Sequence, residues 1–158
     1  KLASGIARIP DLLAAGVPVA LGTDGAISGN DLDLWMALRL AATLHKGATR
    51  RADAVTTHQA FAMATLTGAR ALGAEDRIGS LEPGKAADMV LISTDRAHAV
   101  PLFDPLTHLV YSTAKSDVVH VWVGGEAVVR DGGLVRHDLR ETMAAVRDLT
   151  PAIAASIA

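Results

Sequence analysis

The sequence predicts an α/β fold: helices and one buried strand in the first half, antiparallel β-structure and a final helix in the second. Three patterns indicate this: helical spacing of apolar residues over 34–45 and 61–72, a short apolar run at 19–23, and two strand-like runs that flank Gly124-Gly125. Of the 158 residues, 50% are hydrophobic and 20% are charged, so the chain has enough apolar material for a packed core.

The first predicted elements are a short helix and a strand. The helix runs from Pro10 to Ala15, with Asp11 where the helix dipole favours a carboxylate, and Gly16 supplies its left-handed end. The run Val19 to Thr23 is apolar without alternation, which is typical of a parallel strand buried on both faces. It ends in Asp24-Gly25, so a carboxylate follows the strand directly.

An amphipathic helix is predicted next. Asn30 is a suitable N-cap, Asp31 and Asp33 fall in the first turn, and Gly47 marks the end. Its buried face is expected to carry four residues at helical spacing: Leu34, Leu38, Ala41 and His45.

A second helix follows a capping box. Thr56 with Gln59 three residues later is the expected pair, and Gly73 ends the segment. The predicted buried face consists of Phe61, Ala64, Gly68 and Leu72.

The second half of the chain has the pattern of antiparallel β-structure. Pro83-Gly84 predicts a turn and Ala87 to Ile92 a strand. Val118 to Val123 and Glu126 to Arg130 flank Gly124-Gly125, a two-residue hairpin loop.

A last helix is predicted from Asp138, which resembles a capping box with Glu141. It is expected to present Leu139, Met143 and Val146 to a core. Helical periodicity gives way to turns and strands between Gly73 and Gly79. We therefore expect two parts, residues 1–74 and 75–158.

Charge and composition exclude several classes of function. The net charge of -2, with basic and acidic residues interspersed, gives no electrostatic reason to expect nucleic acid or an anionic membrane as partner. The chain contains no cysteine, so any metal must be held by nitrogen or oxygen ligands, and a reducing cytoplasm is the expected location. No apolar run approaches the roughly 20 residues that span a bilayer. The start at Lys1 instead of methionine leads us to expect sequence upstream.

Asp24 is the candidate catalytic and metal-binding residue. Catalytic groups of α/β barrels lie where strands end, and Gly22 and Gly25 allow a ligand to approach closely. A carboxylate there can bind a cation and take a proton from a water. Asp-Gly after a strand is also an ordinary turn signal, so spacing alone favours a structural role.

The other candidates do not form a recognisable site. The six histidines are scattered without a His-x-His pair or a His-Glu-x-x-His helix, and none is assigned to catalysis: His45, His58, His98, His108, His120 and His137. His45 and His58 are expected at helix ends, and His120 as a packed or half-exposed strand residue. The residues 22–25 lack the spacing of a phosphate-binding loop, and Ser4 and Ser28 have no neighbouring histidine in sequence.

Several segments, in their order and spacing, resemble the amidohydrolase superfamily. More narrowly they are similar to the TRZ/ATZ group, which includes the methylthioadenosine and S-adenosylhomocysteine deaminases and the triazine hydrolases. The resemblance covers nearly the whole chain. The segments are Lys1 to Ile6, Leu12 to Gly16, Val19 to Ala26, Asn30 to Asp33, Ala60 to Leu72, Ile78 to Asp88 and Val121 to Gly125.

The resemblance implies a (β/α)8 barrel of the TIM type and a small β-sandwich. Val19 to Thr23 would be the eighth barrel strand, and Ile78 to Val135 would belong to the C-terminal share of the sandwich, ahead of the final helix. Asp24 matches the aspartate that ligates the metal, usually zinc and in other cases a divalent ion such as Fe²⁺, and that shuttles a proton. The metal-binding histidines and a glutamate that protonates the ring belong to earlier strands, so this chain alone is expected to be inactive.

The implied reaction is hydrolytic deamination of an adenine-type nucleoside of the methylthioadenosine/S-adenosylhomocysteine class by a metal-activated water. The expected partners are this small molecule, the remainder of the barrel and further copies of the protein. Relatives tend to carry Ser-Asn-Asn where this chain has Ser28-Gly29-Asn30 beside the pocket, which leaves two alternatives open within the group: a chlorohydrolase or a guanine-type deaminase. A non-catalytic module that has lost its barrel is the third hypothesis.

Overall fold

A computed structural model describes residues 3–157. Lys1 and Leu2, which open the first family-like segment, and Ala158 lie outside the described residues. Residues 3–157 contain seven α-helices: α1 Ile9–Ala14, α2 Ala26–Gly29, α3 Leu34–Thr49, α4 Thr57–Ala64, α5 Leu66–Ala71, α6 Pro105–Tyr111 and α7 Leu139–Ser156. Its strands are β1 Met89–Ile92, β2 Val118–Val123, β3 Glu126–Arg130 and β4 Gly133–Leu134. Two 3-10 helices are Ala97–Ala99 and Lys115–Asp117.

The first helix is confirmed, whereas the strand predicted after it is not formed within the described residues. Val19, Leu21 and Thr23 are half-buried and the residues between them are exposed, so one face is covered instead of both. The Leu21 N–H donates to the Met63 carbonyl at 3.1 Å. The prediction is wrong here because a strand requires a hydrogen-bonded neighbour, and the one sheet found in residues 3–157 contains β1 to β4 only.

The start of α3 corrects the predicted cap. Asn30 has φ +62 and ends the four-residue α2, and Asp33 caps α3 by accepting from the N–H groups of Trp35 and Met36. Asp33 caps the helix instead of Asn30 because its side chain lies next to the first free N–H groups of α3. The helix also continues past Gly47 to Thr49, while Leu38, Ala41 and His45 are buried as predicted.

The capping box of Thr56 and Gln59 at the start of α4 is confirmed. The helix is interrupted at Thr65, whose hydroxyl donates to the Phe61 carbonyl at 2.8 Å. Because α5 begins after this break, its buried face does not continue that of α4. The buried residues are therefore Ala60, Met63 and Ala69. Leu72, predicted to be buried, is 77% exposed.

The core lies between α3, α4 and α6. It is an apolar cluster of Leu38, Ala42, Val55, Ala60, Met63 and Val110. Trp35 and Tyr111 pack against its edge, half-buried. This core holds the helices that follow Asp24 in a fixed arrangement.

The second half forms one antiparallel sheet in the order β1-β2-β3-β4. The hairpin prediction is confirmed: Gly124 and Gly125 connect β2 and β3 with φ +58 and +80, which only glycine adopts without strain. β1 begins at Met89, two residues later than predicted, because Ala87 has φ +58 and turns the chain.

The final helix α7 begins as predicted, with Asp138 accepting from the N–H groups of Arg140 and Glu141. Its expected core contact is wrong within residues 3–157, since Leu139, Met143 and Val146 are 56%, 44% and 58% exposed. No described element covers this face, so its amphipathic pattern has no partner here. Among the described residues no helix is both long and apolar enough to cross a membrane.

Candidate functional site

Asp24 follows segment 17–23, which the sequence predicted to end as a buried strand and which forms no strand in the structure. Its φ of +58 is in the left-handed region, which is uncommon for a residue with a side chain. The short helix α2 follows at once, so the backbone turns sharply at this residue. The side chain is exposed at this turn, where it can meet a ligand.

Two groups hold the Asp24 carboxylate in its ionised form. The Ser28 hydroxyl, within hydrogen-bonding reach of the carboxylate, is the main cause of a pKa below the usual value of 3.8, and the Gly25 N–H is the second. The Gly25 N–H donates to Oδ1 at 2.6 Å. In the structure the Ser28 hydroxyl donates to the Gly25 carbonyl at 2.9 Å, which holds it in the turn beside Asp24. At neutral pH Asp24 therefore presents a negative charge.

An ionised carboxylate on an exposed turn is a suitable ligand for a divalent cation. It provides one ligand and not a complete site, because no group of three or more His, Cys, Asp or Glu side chains capable of holding a metal occurs in residues 3–157. The donor set of this chain fits a metal whose other ligands come from outside it.

The six histidines are spread over both halves of the described chain. His58 is exposed in the first turn of α4 and His120 is half-buried on β2, as predicted. His45, predicted at a helix end, is buried within α3, because the helix continues to Thr49. His98 donates or accepts through Nε2 at 2.8 Å from Asp117 and stacks on buried His108 with ring centroids 6.1 Å apart. His137 is exposed.

Sequence reasoning missed the partners of these groups. Ser28 was considered only as a nucleophile, although a hydroxyl four residues after an aspartate across a turn can reach its carboxylate. Asp117 has 2% of its side chain exposed and accepts from the Ala114 N–H at 2.8 Å in addition to its contact with His98. The spacing Ala114 to Asp117 is that of a local cap, whereas the contact with His98 depends on the tertiary fold.

Residues 1–128 match the amidohydrolase family. The chain belongs to this family. It is 46% identical over 147 residues to the 5-methylthioadenosine/S-adenosylhomocysteine deaminase of Syntrophobacter fumaroxidans, which covers 93% of this chain and 34% of that protein. The resemblance to the amidohydrolases is thereby confirmed.

Two solved amidohydrolase structures are similar in fold. An adenosine deaminase from Xanthomonas campestris with bound zinc superposes with a TM-score of 0.94 at 38% identity, over 98% of this chain and 35% of that one. The atrazine chlorohydrolase TrzN from Arthrobacter aurescens, complexed with zinc, superposes with a TM-score of 0.83 at 34% identity. The match covers 92% of this chain and 32% of that one. This amidohydrolase chain thus has an α/β fold with a small antiparallel sheet, and it spans about a third of the length of these relatives.

Proposed function

We propose that this amidohydrolase chain is the C-terminal portion of a zinc-dependent deaminase that acts on an adenine-type thioether nucleoside. The observation that carries the proposal is Asp24: an exposed, ionised carboxylate at the end of an apolar extended segment, in a chain similar to named deaminases along 93% of its length. Asp24 is proposed as both a metal ligand and a proton acceptor.

The proposed architecture has two parts. Residues 1–74 supply the last strand and following helices of a (β/α)8 barrel, and residues 75–158 supply the C-terminal share of a small β-sandwich and the final helix. Segment 19–23 supports this, because it is apolar and pairs with no strand of the described sheet, whereas parallel neighbours would satisfy its backbone groups. The open apolar face of α7 equally requires a cover. The remainder of the barrel is the proposed partner of both.

The role of Asp24 follows from its charge and exposure. A bound zinc would make a coordinated water acidic, with a pKa of about 7. Asp24 would hold the cation through one carboxylate oxygen, and its carboxylate would accept the proton that this water gives up. Ser28 and the Gly25 N–H keep the carboxylate ionised and oriented for this. Another divalent ion such as Fe²⁺ could bind through the same oxygen.

The substrate class rests on the relatives and not on a pocket of this chain. The relative in Syntrophobacter is named for methylthioadenosine and S-adenosylhomocysteine, and the Xanthomonas structure for adenosine. The second candidate is hydrolysis of a halogenated ring, which the similarity to the atrazine chlorohydrolase favours.

The proposal is tested on the full-length protein with Asp24→Asn and, as the matched control, Asp53→Asn. Asp53 is an exposed aspartate that pairs only locally, with Arg51 at 3.1 Å. We expect Asp24→Asn to lower zinc content and to reduce ammonia release from methylthioadenosine by about 100-fold or more, with no change for Asp53→Asn. Zinc and rate retained in Asp24→Asn would overturn the proposal. Chloride release from a chlorinated triazine, without ammonia release from nucleosides including guanosine, would favour the second candidate.

A further inference from the structure

The loop that follows Asp24 determines what lies beside the carboxylate. It leaves Asp24 through α2, reverses at Asn30, and enters α3 at Asp33. Nearly all of its side chains are exposed, with Ser28 and Asp33 half-buried. Such a loop has little packing of its own to fix its position, so polar contacts to other parts of the chain matter for it.

Lys115 makes one such contact from a distant part of the sequence. Its Nζ lies 2.6 Å from Oδ2 of Asp31, and the two residues are 84 positions apart. The hydrogen bond with Asp31 raises the pKa of Lys115, and the charge of Asp33 adds to the attraction. The ammonium group therefore contacts one carboxylate of this loop, that of Asp31.

The backbone that carries Lys115 is firmly anchored. Thr113 is completely buried, and its carbonyl accepts from Nη2 of Arg39 on α3 at 2.8 Å. Two residues after Lys115, the buried Asp117 accepts from the Ala114 N–H and contacts His98. Lys115 thus extends from a rigid turn towards an exposed loop.

We propose that Lys115 is a positioning residue that holds the loop after Asp24 against the body of the protein and thereby sets its affinity for substrate. The effect on substrate rests on the proposed function, whereas the effect on the loop does not. Exposed ion pairs are individually weak and are screened by salt, so the expected effect is moderate and depends on ionic strength.

The first measurement is amide hydrogen exchange over residues 26–33 in the full-length protein. We expect Lys115→Met to make these amides exchange about two- to fivefold faster, the range that the strength of exposed ion pairs allows. The matched control is Arg51→Met, which removes the cation of another exposed pair and should leave this loop unchanged. The double variant Asp31→Lys with Lys115→Asp should restore protection.

The second measurement is the rate of deamination at low and high salt. Lys115→Met should raise KM by a similar two- to fivefold, with kcat within about twofold of the wild-type value. High salt should screen the ion pair and raise the wild-type KM towards that of the variant. Exchange over 26–33 that is the same in Lys115→Met and wild type would overturn the inference whatever the activity. Faster exchange with an unchanged KM would overturn the link to substrate. A wild-type protein that neither binds zinc nor deaminates would overturn the proposed function and leave the loop contact standing.

Discussion

Replacing Asp117 should destabilise the junction between the helices and the sheet more than any exposed substitution nearby. Its carboxylate, 2% exposed, joins the turn before β2 to His98, which in turn stacks on His108 of α6. In Asp117→Ala the Ala114 N–H and the His98 ring both lose this acceptor.

The size of the effect follows from these two contacts. Hydrogen bonds to a charged group contribute about 1.5–3 kcal/mol each, and removing the carboxylate also relieves the cost of burying it. We expect a net loss of about 2–4 kcal/mol, which corresponds to roughly 30- to 700-fold faster exchange at about 1.4 kcal/mol per factor of ten.

Native-state hydrogen exchange of the β2 and β3 amides in the full-length protein measures this loss as a local free energy of opening. Asp95→Ala is the control, because Asp95 is exposed and bonds through its backbone N–H, which donates to the Ser93 hydroxyl at 3.3 Å. Its effect should stay within about 0.5 kcal/mol. A loss below about 1 kcal/mol for Asp117→Ala would refute the reasoning.

Three further predictions concern pH, capping and the isolated chain. Burial raises the pKa of Asp117, but the Ala114 N–H and His98 outweigh burial and hold this pKa below 3.8. The stabilisation from Asp117 is therefore complete above about pH 3.8 and is lost as pH falls through the folded-state pKa. Hydrogen exchange of the β2 amides, followed during an acid titration, measures this loss. Asp33→Ala should lower the stability of α3 by about 1 kcal/mol, and Asp33→Ser, which keeps a capping oxygen, by much less. Hydrogen exchange of the amides at the start of α3 measures both losses, and equal losses would contradict the capping role. Residues 1–158 produced alone should self-associate through α7 and segment 19–23; a 16.3 kDa monomer that melts cooperatively would favour the non-catalytic module.

Local signals in the sequence predicted local structure well. The capping box at Thr56, the Gly124-Gly125 hairpin and the Asp138 cap each depend on a few neighbouring residues, and each is confirmed. The Asn30 cap was wrong because Asp33 competes for the same helix start, a choice that residue type alone does not decide.

Features that depend on distant contacts could not be predicted from these residues. The apolar spacing of α7 was read correctly, but no described element lies against its exposed face. The run 19–23 packs on the core through one face and pairs with no strand of the described sheet. Leu72 was misjudged because the interruption at Thr65 changes the phase of α5.

The candidate site divides in the same way. Asp24 could be singled out because it ends an apolar run, and the family resemblance favours a functional role over that of an ordinary turn; that role stays a prediction. Lys115 could not be found, since 84 residues separate it from Asp31 and only the fold brings them together.

A crystal structure of the full-length protein with zinc tests the central claim most directly. The account predicts an Asp24 carboxylate oxygen about 2.0–2.2 Å from the metal, with residues 19–23 paired between parallel strands. Zinc held entirely by other residues, with the Asp24 side chain directed away from it, would contradict the account.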